Sequence, residues 1–147
     1  MIRQPTVIEG ECIIGENLDT GYFVVLRSCE IGNDVCIWSH CTVDPDARLG
    51  NRVKLHNHVY VSQGTVLEDD VFVGPGSAFL NDKYPPRYDK TQWQPPIVRR
   101  GAILGGGVLI CPGVEIGERA IIGAGAVVTR DVPPGQVWLG IPARRVR

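Results

Sequence analysis

The sequence predicts an all-β chain wound as one parallel β-helix of six-residue repeats, a single domain over residues 1–147. Three observations predict it. From Ile31 an apolar residue recurs every six positions (Ile37, Val43, Leu49, Leu55, Val61, Leu67, Val73, Phe79), and the series resumes at Val98, Leu104, Ile110, Ile116 and Ile122. Four residues after most of these stands a small or β-branched companion, among them Val35, Cys41, Ala47, Thr65, Ser77, Ala102 and Ala126. Gly, Asn, Asp and Pro fill the intervals, as in Gly32-Asn33-Asp34, Asp44-Pro45-Asp46 and Gly74-Pro75-Gly76.

Neither a 3.6-residue helix nor a simple alternating strand sustains a period of six. The intervening residues are those that tolerate tight or left-handed backbone. Each repeat is therefore a short strand and a turn, and three repeats make one coil whose strands stack in parallel ladders. About six coils at ~4.8 Å each give a prism roughly 30 Å long. Stacking supplies the stability, because no coil can bury its core alone. Weaker hexads begin near Ile8 and Ile14, and a one-residue slip is expected between Ile14 and Val25. The period does not dictate the hand of the coil.

The pattern lapses once, between Phe79 and Val98. The stretch Asn81-Asp82-Lys83-Tyr84-Pro85-Pro86 to Pro95-Pro96 carries four prolines and three aromatics, which cannot continue a ladder. A loop over about 81–96 projects from one corner, and long loops on rigid scaffolds commonly carry function or subunit contacts. A short tail follows the last repeats.

Composition narrows the function. The formal net charge of −1 gives no basic field for nucleic acid or an anionic membrane. No run approaches the ~18 apolar residues of a membrane span, and no signal-peptide pattern opens the chain, so a cytoplasmic protein is expected. Five cysteines without C-x-x-C spacing argue against both a disulfide framework and a zinc ribbon. Three of them fall at inward positions, where they act as small hydrophobes.

The three histidines fall close together in the repeat. His40 and His58 are three full hexads apart at the same hexad position, so they stack on adjacent coils of one outward corner, with His56 beside them. Trp38 stands one full coil before His56 and stacks against it. Such a cluster suits a substrate groove, where an imidazole can bind hydroxyls or take a proton; exposed turn residues without a role would look the same.

The hexads, Val73-Gly74-Pro75 with the Asn81–Pro85 segment, the run Ile122-Gly123-Ala124-Gly125-Ala126 to Pro134, and Gly140-Ile141-Pro142-Ala143-Arg144 resemble the left-handed β-helix, hexapeptide-repeat acetyltransferases. The Asn-Asp-Lys-Tyr-Pro-Pro loop is similar to that of N-acetyltransferases acting on nucleotide-linked 3-amino sugars, a class feeding lipopolysaccharide and other surface glycans. The resemblance implies a homotrimer with acetyl-CoA lying between prisms along the C-terminal coils. It places Gly105, Gly106 and Ala124 against the pantetheine, and Arg144 and Arg145 near the adenosine phosphate, for which guanidinium is a bidentate donor. Read as plain sequence, the last residues are equally a solvated basic tail.

Sugar O-acetyltransferases of this fold carry a catalytic His before a Pro in the loop, where this chain has Tyr84-Pro85. A phenol is a poor general base at neutral pH. An amine with a pKa of about 8 is partly neutral already and attacks a thioester without prior deprotonation. The expected activity is therefore acetyl transfer from acetyl-CoA to the amine of a UDP- or dTDP-linked amino sugar, with Asn81 hydrogen-bonding the amine or adduct and Asp82 and Tyr84 shaping the pocket. His56 is the candidate auxiliary base, and His40 and His58 are candidate substrate contacts. Two other readings stay open: O-acetylation with His56 or His40 as base, and a non-catalytic trimeric scaffold. Carbonic anhydrases share the fold, but the spacing of His40, His56 and His58 differs from their zinc ligands, and no metal is expected.

Overall fold

The computed structural model covers residues 1–147 and is a left-handed parallel β-helix, with 21 short strands and one 3-10 turn at Lys90–Gln92. The strands form three sheets, which are the faces of a triangular prism. Face 1 has seven strands, from Thr6–Glu9 to Val127–Val128. Face 2 has six, from Ile13–Ile14 to Glu115–Ile116, and face 3 has eight, from Asp19–Thr20 to Ala143–Arg145. Each hexad contributes a strand of about two residues, then a three-residue corner. The last corner residue has positive φ at Asp34, His40, Asp46, Arg52, His58, Asp70 and Arg119, and at Gly64, Gly76, Gly107 and Gly125.

The hexad residues and their companions form one core of 33 buried hydrophobic side chains. Every buried polar side-chain atom has a hydrogen-bond partner. On the corner between faces 2 and 3 the turns are tied by an Asx ladder, in which Asn33 N–H donates to Asn51 Oδ1 and Asn51 N–H to Asp69 Oδ1, each at 2.8 Å. These bonds replace the strand ladder where the backbone turns.

Three details differ from expectation. The one-residue slip lies at the corner Arg27–Cys29, not between Ile14 and Val25. Register pairs that span this corner (Ile14 with Ile31, Thr20 with Ile37, Leu26 with Val43) fall one position short of three full hexads, while Val7 and Val25, which do not span it, keep the full interval. Thr20 hides the phase in the sequence, because it occupies an inward position as a polar residue only 1% exposed. Ile8, at an inward phase, is 45% exposed because it lies at the open lower end of the prism. The C-terminal tail is ordered: Val137–Gly140 and Ala143–Arg145 pair as an antiparallel hairpin whose Trp138 and Ala143 close the upper end of the core.

The 81–96 loop leaves face 1 after Phe79 and returns to face 2 at Ile97 without shifting the ladder, since Val66 pairs with Ile97 and Leu67 with Val98. The structure has no helix long and apolar enough to cross a membrane.

Candidate active site

One corner, between faces 3 and 1, gathers most of the sequence-predicted site residues. Its successive rungs are Gly21-Tyr22-Phe23, Trp38-Ser39-His40, His56-Asn57-His58, Gly74-Pro75-Gly76, Gly105-Gly106-Gly107 and Gly123-Ala124-Gly125, as the corner hydrogen bonds show: His40 N to Tyr22 O, His58 N to Ser39 O, Gly76 N to Asn57 O, Gly107 N to Pro75 O and Gly125 N to Gly106 O. The three lower rungs carry six ring side chains. The three upper rungs carry nothing larger than proline.

On the lower rungs His40 and His58 stack with centroids 4.8 Å apart and planes 3° from parallel. Phe23 continues the stack below His40 at 5.1 Å. His56 is held differently. Trp38 meets it edge-to-face with centroids 3.7 Å apart, and Phe72, from the coil above, meets it at 4.8 Å. His56 is half-buried, whereas His40 and His58 are exposed. Burial, and then the nearby Lys54 ammonium, hold the His56 imidazole below its ordinary pKa, so it stays neutral to lower pH.

The upper rungs form a shelf. Cβ atoms on Gly74 and Gly105 would sit 2.5 Å from Gly105 C and 2.7 Å from Ala124 N, so these glycines let successive corners stack closely. Gly76, Gly107 and Gly125 differ: a Cβ on any of them would meet nothing within 4 Å. Positive φ favours glycine there but does not demand it, because His40 and His58 adopt φ of 62° at the same corner position. The missing side chains leave this stretch of the corner bare, with open space over Gly76, Gly107 and Gly125. Ser77 ties the shelf together from inside, donating to Gly105 O at 3.0 Å and accepting from Val108 N at 3.1 Å.

Asn81, Asp82 and Tyr84 lie on the next corner, between faces 1 and 2. The Asn81 amide donates to Gln63 O at 3.0 Å, and Asn81 O accepts from Gln94 N at 2.6 Å, so Asn81 pins both ends of the loop. Asp82 accepts from the backbone N–H groups of Tyr84 at 3.1 Å and Arg87 at 2.8 Å, and pairs with the Arg87 guanidinium at 3.4 Å. Tyr84 is exposed, with Arg87 4.9 Å over its ring. Within one chain, face 1 separates these residues from the imidazoles. Arg144 and Arg145 are exposed on the C-terminal hairpin, at the upper end of face 3, opposite Leu139 and Trp138 in register.

The two buried thiols, Cys29 and Cys41, are poor nucleophiles. Burial raises the Cys29 thiol to about 12, with Cys12 beside it, and burial raises Cys41 to about 11. No three His, Cys, Asp or Glu side chains converge as a metal-binding group. Phe23 and Phe72 escape sequence reasoning. Because of the slip, Phe23 stands one position nearer His40 than a full coil, and Phe72 reaches His56 from the neighbouring strand rather than from the same corner position.

Comparison with known proteins identifies the repeat. Residues 28–63 and 95–130 match the bacterial transferase hexapeptide (six repeats). The chain is 33% identical over 166 aligned positions to the bifunctional protein GlmU of Thermotoga sp. strain RQ2, covering 95% of this chain and 37% of that protein. It therefore spans well under half the length of the curated relatives it matches. A hexapeptide-repeat-containing acetyltransferase of Vibrio cholerae, solved with acetyl coenzyme A, superposes with a TM-score of 0.63 at 27% identity, over 84% of this chain and 69% of that one. A perosamine N-acetyltransferase from Caulobacter crescentus, solved with CoA and GDP-perosamine, superposes with a TM-score of 0.73 at 24% identity, over 99% of this chain and 55% of that one.

Proposed function

We propose that this chain, a hexapeptide-repeat protein of the bacterial transferase pattern, is an acetyl-CoA-dependent N-acetyltransferase acting on a nucleotide-linked (UDP or dTDP) amino sugar. The observation that carries the reading is the division of one corner into three rungs of rings and three rungs without large side chains. The shelf suits the pantetheine arm, with Gly105, Gly106 and Ala124 offering backbone groups, and Arg144 and Arg145 near its upper end suit the nucleotide phosphates. The imidazoles at its lower end suit the acceptor.

The proposed chemistry is direct attack of the neutral amine on the thioester carbon. The C–N bond forms, the carbonyl oxygen gains the negative charge, and the nitrogen becomes an ammonium. Loss of one ammonium proton and collapse of the adduct break the C–S bond, and the CoA thiolate leaves and is protonated. Such a reaction depends on orientation and on stabilising the oxyanion. His56, neutral and half-buried, is suited to take the ammonium proton.

The reading includes a homotrimer. Asn81, Asp82 and Tyr84 occupy a different corner from the imidazoles, so both sets serve one site only if the loop of one copy reaches the corner of another. Asn81 and Asp82 then hold the loop in shape, and Tyr84 is the exposed side chain free to touch the acceptor.

The test is CoA thiol release from acetyl-CoA with a panel of UDP- and dTDP-linked 3-amino sugars, a 4-amino analogue and sugars bearing only hydroxyls. Release confined to an amino sugar supports the reading. Release with hydroxyl-only sugars makes the enzyme an O-acetyltransferase with His56 or His40 as base, and acetyl-CoA binding without release to any acceptor contradicts the acceptor class.

A further inference from the structure

His56 differs from the other two imidazoles in what holds it. His40 and His58 stand at the last position of their corners and touch rings only through their faces. His56 stands at the first position of its corner, where its backbone N–H is fixed to Val73 O at 3.0 Å. Its ring has an aromatic neighbour on each side along the prism axis, Trp38 on the coil below and Phe72 on the coil above. The Trp38 contact is perpendicular at 88° and the Phe72 contact is inclined at 60°. Two non-parallel ring contacts restrict both swing and tilt, which the parallel stacking of His40 on Phe23 and His58 does not.

We propose that Trp38 and Phe72 are positioning residues that grip His56 and aim one edge of its imidazole across the end of the shelf, making His56 the imidazole that takes the proton from the acceptor nitrogen. This rests on the acetyl-transfer reading above. The proton moves from the ammonium of the tetrahedral adduct to His56, and then from the imidazolium to the departing CoA thiolate, so the imidazole ends the cycle neutral.

The grip explains the place of each ring. Trp38 is half-exposed and Phe72 points outward from face 3, so neither belongs to the hydrophobic core, which is complete without them. The titratable groups nearest the grip are Lys54 and His58 beside His56, Cys36, His40 and Cys41 on the Trp38 coil, with the Cys41 thiol donating to His56 O at 2.9 Å, and Asp70 two residues before Phe72. Asp70 is engaged with Arg52 at 2.6 Å. Lys54 has no carboxylate within salt-bridge distance, so its charge reaches His56 uncompensated.

The experiment uses the full chain with nitrogen-15-labelled histidine and follows the three imidazoles by NMR as pH is varied, in the wild type and in Trp38→Leu, Phe72→Leu and Trp38→Phe. The expected result is that both leucine variants move the His56 midpoint upward, toward that of a free imidazole, while His40 and His58 stay in place. In turnover assays kcat should fall at least about tenfold with the KM for acetyl-CoA unchanged. The acid limb of the pH–rate profile should move to higher pH, and Trp38→Phe should recover most of the loss. In a His56→Ala background Trp38→Leu should cost nothing further, because its effect passes through the imidazole. An unmoved His56 midpoint, or a Trp38→Leu loss of equal size with and without His56, overturns the grip. The NMR measurement needs no turnover, so a wild type that releases no thiol defeats the acetyl-transfer reading separately.

Discussion

Val66 and Ile97 are register partners in face 2 although the whole 81–93 segment intervenes, and their pairing is as regular as that of Val66 with Arg48 on the other side. The extra residues leave the prism between Leu80 and Gln94. Gln94 resumes the corner, its carbonyl accepting from Gly113 N at 2.7 Å. The loop is an excursion from a helix that closes beneath it.

Removing residues 81–93 and joining Leu80 to Gln94 should therefore restore one ordinary hexad. The shortened chain is expected to keep its circular dichroism and cooperative unfolding, with stability changed by about 1 kcal/mol. Turnover should fall at least about a hundredfold, because the proposed site takes acceptor contacts from the loop. Loss of fold in the shortened chain would show that the loop is part of the core.

Phe79, at the root of the loop, is the largest fully buried side chain. Phe79→Ala should cost about 3–5 kcal/mol in urea unfolding, because neighbouring coils cannot collapse into the gap while their ladders hold.

Tyr60 tests the outer surface of face 1. Its hydroxyl donates to Asp44 Oδ2 at 2.7 Å, and burial, followed by that carboxylate, pushes its pKa up to about 12. A phenol whose pKa is raised on folding stabilises the fold fully below its unfolded pKa of about 10, and that contribution is lost as pH rises toward the folded value. Alkaline melting curves of the wild type should therefore fall more steeply between about pH 10 and 12 than those of Tyr60→Phe. Parallel curves would show that the hydrogen bond is absent in solution.

The repeat is legible because inward residues, companions and turn residues each obey the same period, and a parallel ladder converts that period directly into space. The His40–His58 stack and the Trp38–His56 contact follow from the coil interval alone. The slip is hard to place because Thr20 fills an inward position with a hydroxyl, and Phe23 escapes notice for the same reason. The C-terminal hairpin is not legible, because Trp138 and Ala143 close the core outside the six-residue phase. Asn81 stands one full coil after Gln63, so that contact follows the same interval; beyond Asn81 the loop carries no period, and the engagement of Asp82 with Arg87 has no sequence signal.

The measurement that tests the account most directly is calorimetric titration of acetyl-CoA into the wild type, Gly107→Leu and Gly101→Leu. Both glycines have positive φ, 65° and 70°, so either substitution strains the backbone alike, by about 1–3 kcal/mol. Gly107 lies on the shelf, and Gly101 lies on the corner between faces 2 and 3, where its side chain would meet only the flexible stem of Arg119. The account predicts that the wild type and Gly101→Leu bind acetyl-CoA alike while Gly107→Leu binds at least about tenfold more weakly, a loss of about 1.4 kcal/mol. Equal binding by all three, or no binding by the wild type, would contradict the placement of the cosubstrate along this corner.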